Sequence, residues 1–127
     1  YEQVKEKLLH VSDKYLENQH HGRPISKFIL SQPLQVDDYE IPLIELPAPS
    51  QSRHYKNGLE PLEFVVGDDY DEIRNMYKHL WSAIDDSGDF NQPLSIEFEN
   101  IGTVKFHRLP LEEVVKLEGN EFVVITN

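Results

Sequence analysis

Apolar and polar positions along this chain alternate with two periods, and the switches between them predict its elements. Tyr1, Val4, Leu8, Val11 and Tyr15 recur at spacings of three and four, which predicts an amphipathic helix over 1–18 with Lys5, Glu6, Asp13, Lys14 and Glu17 off the stripe. His21-Gly22 predicts its end, and Pro24 forbids continuation. A strand is predicted over 25–30, with 34–36 as its continuation past a bend at Pro33, which has no amide hydrogen for a ladder. Asp37-Asp38 predicts a turn, and 39–46 returns as the next strand. There Ile41, Leu43 and Glu45 share a face, because side chains alternate with period two.

A third strand is predicted over 59–66, with Leu59, Pro61, Glu63 and Val65 on one face; Pro61 demands an edge, a bulge or an unpaired amide. Asp69 followed by Glu72 has the spacing of a capping box, and Ile73, Tyr77, Leu80, Trp81 and Ile84 predict a helix running to about 84. After a loop over 85–93, residues 94–99 alternate cleanly, and 103–107 pairs back as a hairpin. Pro110 opens a short helix with Leu111, Val114, Val115 and Leu117 on its apolar side, and 121–126 is a final β-rich segment. The predicted fold class is α+β, one domain of two related modules, about 1–57 and about 58–127. The first would be completed by a strand before Tyr1.

Charge narrows the function classes. Twelve Lys and Arg against 23 Asp and Glu give a net charge of −11, which repels phosphate backbones and anionic lipid and argues against nucleic-acid and membrane partners. No apolar run approaches the roughly 20 residues that span a bilayer. The absence of cysteine excludes disulfides and thiolate chemistry and fits a cytoplasmic chain. No nucleophile motif, phosphate-binding glycine loop or zinc-finger spacing is present.

The two strands around a loop rich in Pro, Ser, Asn and Gly each carry a carboxylate among apolar neighbours, Glu45 and Glu63. Glu45 reads either as a solvated or Lys/Arg-paired strand end or as part of a site. Glu63 and Lys105 read either as the wet face of an antiparallel sheet or as a buried pair across it. His107-Arg108 reads as surface or as an anion contact, and His20-His21 as adjacent residues that do not converge on an ion. Arg53, His54, Tyr55 and Lys56 form a basic-aromatic cluster in the loop; it either closes over a ligand carboxylate or phosphate, with Arg53, Tyr55 and Lys105 as contacts, or balances local charge.

Gly22-Arg23-Pro24-Ile25, Ile44-Glu45-Leu46-Pro47 with Pro49, Arg53, Tyr55, Gly58, Glu60, Glu63, Lys105-Phe106-His107 and Glu112-Glu113-Val114 resemble, in order, the pattern of the YecM-like family. That family is similar to the vicinal-oxygen-chelate group of glyoxalases and extradiol dioxygenases. The resemblance implies paired βαβββ-type modules, a curved, mostly antiparallel sheet with helices outside, and a cup that holds a divalent metal (Zn, Fe, Mn or Ni) for isomerase, lyase or dioxygenase chemistry on a small polar substrate. It implies Glu45 as a ligand; Glu63, on the face of Pro61, is the candidate second ligand or catalytic base, and His107, on the face of Lys105, the candidate third ligand of a displaced ion. Pro61 and Lys105 stand at expected ligand positions and cannot ligate. A second expectation therefore stands beside the enzyme: a non-catalytic small-ligand-binding or interaction domain that has lost the metal.

Overall fold

A computed structural model describes residues 1–50, 61–84, 91–99 and 102–126. The protein is mixed α+β with mostly antiparallel pairing, and it divides into two compact units, residues 1–56 with 121–127, and residues 57–120. No helix among the described residues is long and apolar enough to cross a membrane.

The first unit is helix α1 (Glu2–His10) and a four-stranded sheet in the order Tyr39–Pro47 (β3), Arg23–Val36 (β2), Ser12–His20 (β1), Val123–Val124 (β8). Helix α1 spans only Glu2–His10. At Val11 the backbone leaves helical geometry, and the Ser12 hydroxyl and the Val11 amide both donate to the Leu8 carbonyl (2.7 and 3.2 Å), closing the last turn. The expected continuation to 18 is corrected: Ser12–His20 is strand β1, paired antiparallel with β2, Arg23–Val36. The four-residue step from Val11 to Tyr15 satisfies a helix and a strand equally, since four is also a multiple of two. His21 and Gly22, expected as a helix end, form instead the two-residue hairpin turn. Both have positive φ (50° and 74°), the geometry that matches strand twist and that glycine adopts without strain.

Strand β2 pairs with β3, Tyr39–Pro47, as expected from the alternation. The register breaks between Ile29 and Leu34. Pro33 on one strand and Pro42 on the other fall in this interruption, where neither is asked for an amide hydrogen. β8, Val123–Val124, joins the far edge beside β1, so the β-rich segment expected to end the second half pairs with the first unit. The buried centre is Phe28 (0% exposed), with Tyr15 packed on it at 5.3 Å between ring centroids.

The second unit runs strand, helix, three strands: β4 (Leu62–Val65), α2 (Tyr70–Met76), β5 (Ala83–Ile84), β6 (Leu94–Phe98) and β7 (Gly102–His107). Helix α3 (Leu111–Leu117) follows. The sheet order is β4-β7-β6-β5, with β4 parallel to β7 and the other pairs antiparallel. β4 is an edge strand and Pro61 lies just before it, which leaves the missing amide outside the ladder. The expected helix to 84 is corrected. α2 ends at Met76, a 3-10 turn covers Lys78–Leu80, and Trp81 is extended because the next residues are drawn into pairing with Leu94 and Ser95. Asp69 stands at the helix start without a side-chain cap hydrogen bond, so the expected capping box is not formed. The Trp81 indole N–H donates to the Arg74 carbonyl (3.1 Å), and its ring meets Phe106 edge-on, which in turn stacks on Phe64 at 5.6 Å. Leu94 and Val115 are fully buried in this unit.

Candidate functional site

In the second unit, alternation along β4 and β7 puts Phe64 and Phe106 on one face and Glu63, Lys105 and His107 on the other. Parallel pairing aligns Glu63 with Lys105 and Val65 with His107, so the Glu63 carboxylate lies between two potential cations. Its Oε1 is 3.7 Å from Lys105 Nζ and its Oε2 is 2.8 Å from His107 Nε2. The histidine contact is close but off the N–H direction: Nε2 is buried and has no aligned hydrogen bond. Burial alone would raise the Glu63 pKa, but the His107 and Lys105 contacts outweigh it and hold the carboxyl below its ordinary value of 4.5.

The other side of the His107 ring is fixed by Asn91. The Leu109 amide donates to Asn91 Oδ1 (2.8 Å), which sets the orientation of the side-chain amide. Its Nδ2 then faces the Leu109 carbonyl (3.2 Å) and His107 Nδ1 (3.3 Å), while the Asn91 carbonyl lies 3.1 Å from the same ring nitrogen. Depending on its tautomer, His107 Nδ1 either accepts from the Asn91 side-chain amide or donates to the Asn91 carbonyl. Nothing in the residue pattern of the 85–93 loop singles out Asn91, because its role depends on where the end of β7 lies.

Glu45 belongs to the first unit. It faces the buried Lys27, with Oε1 3.6 Å from Nζ, and the same ammonium donates to Asn18 Oδ1 at 2.6 Å. The expectation of a strand-end carboxylate paired with a nearby Lys fits this contact. Arg53 and Tyr55 lie outside the described residues. The His20 and His21 rings pack edge-on at the β1–β2 turn.

A cluster that sequence patterning missed lies on the opposite face of the first unit's sheet. Glu17 Oε2 accepts from Lys5 Nζ (2.7 Å), Ser26 Oγ (2.8 Å), and the Tyr1 and Tyr15 hydroxyls (3.0 Å each), tying α1 to β1 and β2. The Lys5 hydrogen bond first, then those of Ser26, Tyr15 and Tyr1, lower the Glu17 pKa from 4.5 to about 2. A folded value below the unfolded one means that the stabilisation is complete above pH 4.5 and is lost as pH falls toward 2. Loss of α1 docking is therefore expected over that interval, seen as collapse of the Tyr1 and Lys5 side-chain NMR shifts. In Glu17→Gln those shifts are expected to lose their pH dependence.

Chemically, Glu63 is a poor general base: contacts that depress a carboxylate pKa move it away from the near-neutral values at which proton abstraction is efficient. As a metal centre the set is short. Among the described residues no three His, Asp or Glu side chains converge. Glu63 and His107 offer two donors beside an ammonium that a divalent ion would repel.

Comparison with known proteins identifies the lineage. The family model described as "YecM protein" matches residues 1–101. Protein YecM of Escherichia coli (strain K12) is 28% identical over 120 residues, an alignment covering 80% of this chain; the chain spans 62% of the length of that relative. A solved structure described as "Structural Genomics, Protein EC4020" superposes with a TM-score of 0.73 at 28% identity, over 92% of this chain and 68% of that one. The matched span takes in the Arg23–Val36 and Tyr39–Pro47 hairpin and the second unit as far as β6. On these grounds the chain belongs to the YecM family.

Proposed function

We propose that this YecM-family chain is a non-catalytic, small-polar-ligand-binding protein built on glyoxalase-like modules, in which a Glu63–Lys105–His107 cluster stands where catalytic relatives of that fold group hold a metal. The observation that carries this reading is the engagement of the Glu63 carboxylate by both Lys105 and His107. A carboxylate already neutralised by an ammonium is a weak metal ligand, and one whose pKa is depressed is a weak base. The cluster remains well suited to a polar ligand: Lys105 donates and Glu63 accepts, both partly open to solvent, while His107, with Nε2 buried, backs the Glu63 carboxylate. A cytoplasmic location, and small molecules rather than nucleic acid or membrane as partners, complete the reading for a chain of charge −11.

The second reading, a metal-dependent isomerase, lyase or dioxygenase, draws its support from His107 Nε2. This buried nitrogen lies 2.8 Å from a carboxylate oxygen without an aligned hydrogen bond, a nitrogen–oxygen pair of the kind that transition metals use. Elemental analysis of the untagged protein separates the two. After incubation with Zn, Fe, Mn or Ni and removal of the excess, sub-stoichiometric metal is expected, unchanged in Glu63→Ala. Near-stoichiometric metal that Glu63→Ala abolishes would overturn the binding-protein reading.

A further inference from the structure

The two units share one topology and differ by one strand. In the second, β4 leads through a 3-10 turn into α2, and β5, β6 and β7 follow, in the sheet order β4-β7-β6-β5. In the first, α1 is followed by β1, β2 and β3, in the order β3-β2-β1 with β8 added beside β1. Helix matches helix, and β1, β2 and β3 stand in the places of β5, β6 and β7. The place of β4, parallel to β7 and directly ahead of the helix, is not filled among the described residues of the first unit. It falls on the outer edge of β3.

That edge is suited to a neighbour. The Ala48 amide donates to the Pro24 carbonyl (2.8 Å), which makes 24 with 48, and by alternation 26 with 46 and 28 with 44, the hydrogen-bonded pairs of the β2–β3 ladder. Leu43, opposite Ile29, falls between them, so its amide points away from β2. Past Leu30, where pairing with β1 stops, β2 and β3 run on as a two-stranded ribbon: Leu34, Gln35 and Val36 pair with Ile41, Glu40 and Tyr39. Leu34, Val36, Tyr39 and Ile41 share one face of the ribbon, and Gln35 and Glu40 hydrogen-bond on the other (2.9 Å). Leu34 and Val36 are 43% and 52% exposed. Two strands with an apolar face in water are marginal, and a third strand is what stabilises such a sheet. A second copy fits this edge badly: two-fold pairing of β3 with itself is antiparallel, whereas β4 runs parallel to β7.

We propose that the outer edge of β3 docks a strand supplied by the same protein chain ahead of α1, parallel to β3 and entering α1 as β4 enters α2. Relatives have the length for it, since this chain spans 62% of the Escherichia coli protein. Leu62–Val65 lie beside Val104–His107, the end of β7, so the added strand lies beside 44–47. A strand matched to the nine residues of β3 runs back along the ribbon as well. Glu45 takes the place of Lys105, each two residues before its strand's end, and the residue aligned with Glu45 projects on its face as Glu63 does beside Lys105. The proposal rests on strand topology and not on the ligand reading of the Glu63 cluster.

NMR of the natural gene product, with the residues that precede Tyr1, beside the 1–127 chain tests it. In the longer chain, nuclear Overhauser contacts in the parallel pattern are expected between a segment ahead of α1 and residues 43–47. The Leu43 amide is expected to exchange about 100-fold more slowly there than in 1–127. The urea midpoint of the first unit is expected to rise. Contacts in the antiparallel pattern, or a preceding segment that docks elsewhere, would overturn the proposal. So would equal exchange at Leu43 in the two chains, or a gene product with no strand ahead of α1. Slow exchange at Leu43 already in 1–127, growing with protein concentration, would give the edge to a second copy and overturn it too.

Discussion

Phe28→Ala is expected to lower the unfolding free energy by about 3–5 kcal/mol, the usual range for truncating a fully buried phenylalanine. Phe28 has no exposed surface, packs on the Tyr15 ring, and pairs in register with Tyr15 on one side and Ile44 on the other. Its removal leaves a cavity at the centre of β2, where neighbours on both flanking strands are held by ladders and collapse only partly. A loss of this size is a large share of the roughly 5–15 kcal/mol by which domains are stable. Urea denaturation followed by far-UV circular dichroism measures it. Val123→Ala, on a residue 65% exposed, is expected to change the midpoint little and serves as the reference. A small effect at Phe28 would mean that the first unit draws its stability from somewhere other than the Tyr15–Phe28 contact.

Glu45→Ala is expected to destabilise by about 2 kcal/mol, because it leaves the Lys27 ammonium buried without its counter-charge. Breaking a fully buried pair typically costs about 3–5 kcal/mol; Glu45 is 36% exposed, so water takes over part of its role and the loss is smaller. The double variant Lys27→Met/Glu45→Ala is expected to recover most of the loss, since the charge that suffered is gone. The same denaturation experiment reads the cycle, and no recovery would show that Glu45 acts through partners other than Lys27. The result also governs how Glu45 is probed for function. A loss of bound metal or ligand in Glu45→Ala is ambiguous if the sheet itself has loosened, and Glu45→Gln, which keeps the side-chain volume, is the cleaner variant.

The strands that alternate without ambiguity were legible from residue order. Arg23–Val36, Tyr39–Pro47, Leu94–Phe98 and Gly102–His107 follow the apolar pattern closely, and both Pro33 and Pro61 lie where a missing amide is harmless. The errors arose where one spacing fits two periods. Val11 and Tyr15 are four apart, and Ile84 continues a helical stripe although it pairs with Leu94 in a strand. At such positions the deciding energy is a ladder formed with the next strand, which the spacing of apolar residues within one segment does not reveal. Of the expected site, Glu63, Lys105 and His107 were identifiable as polar positions on alternating strands, and the parallel pairing of β4 with β7 brings them together. Lys27, Asn18, Asn91 and Glu17 carried no comparable signal, since a polar residue in a strand looks the same whether it faces water or a partner.

Residue order by itself determined the acidic character, the α+β class, the prolines that confine pairing to particular edges, and the carboxylates placed among apolar neighbours. Those properties depend on side-chain type and on separations of a few residues, so they are already set in the chain before it folds. Tertiary structure alone decided that residues 12–20 are a strand and that β8 closes the first unit's sheet beside β1. It alone decided, too, that Glu45 meets a buried lysine while Glu63 is held between a lysine and a histidine. Each of these is a contact between distant segments, and its free energy exists only once both partners have been brought out of water and into register.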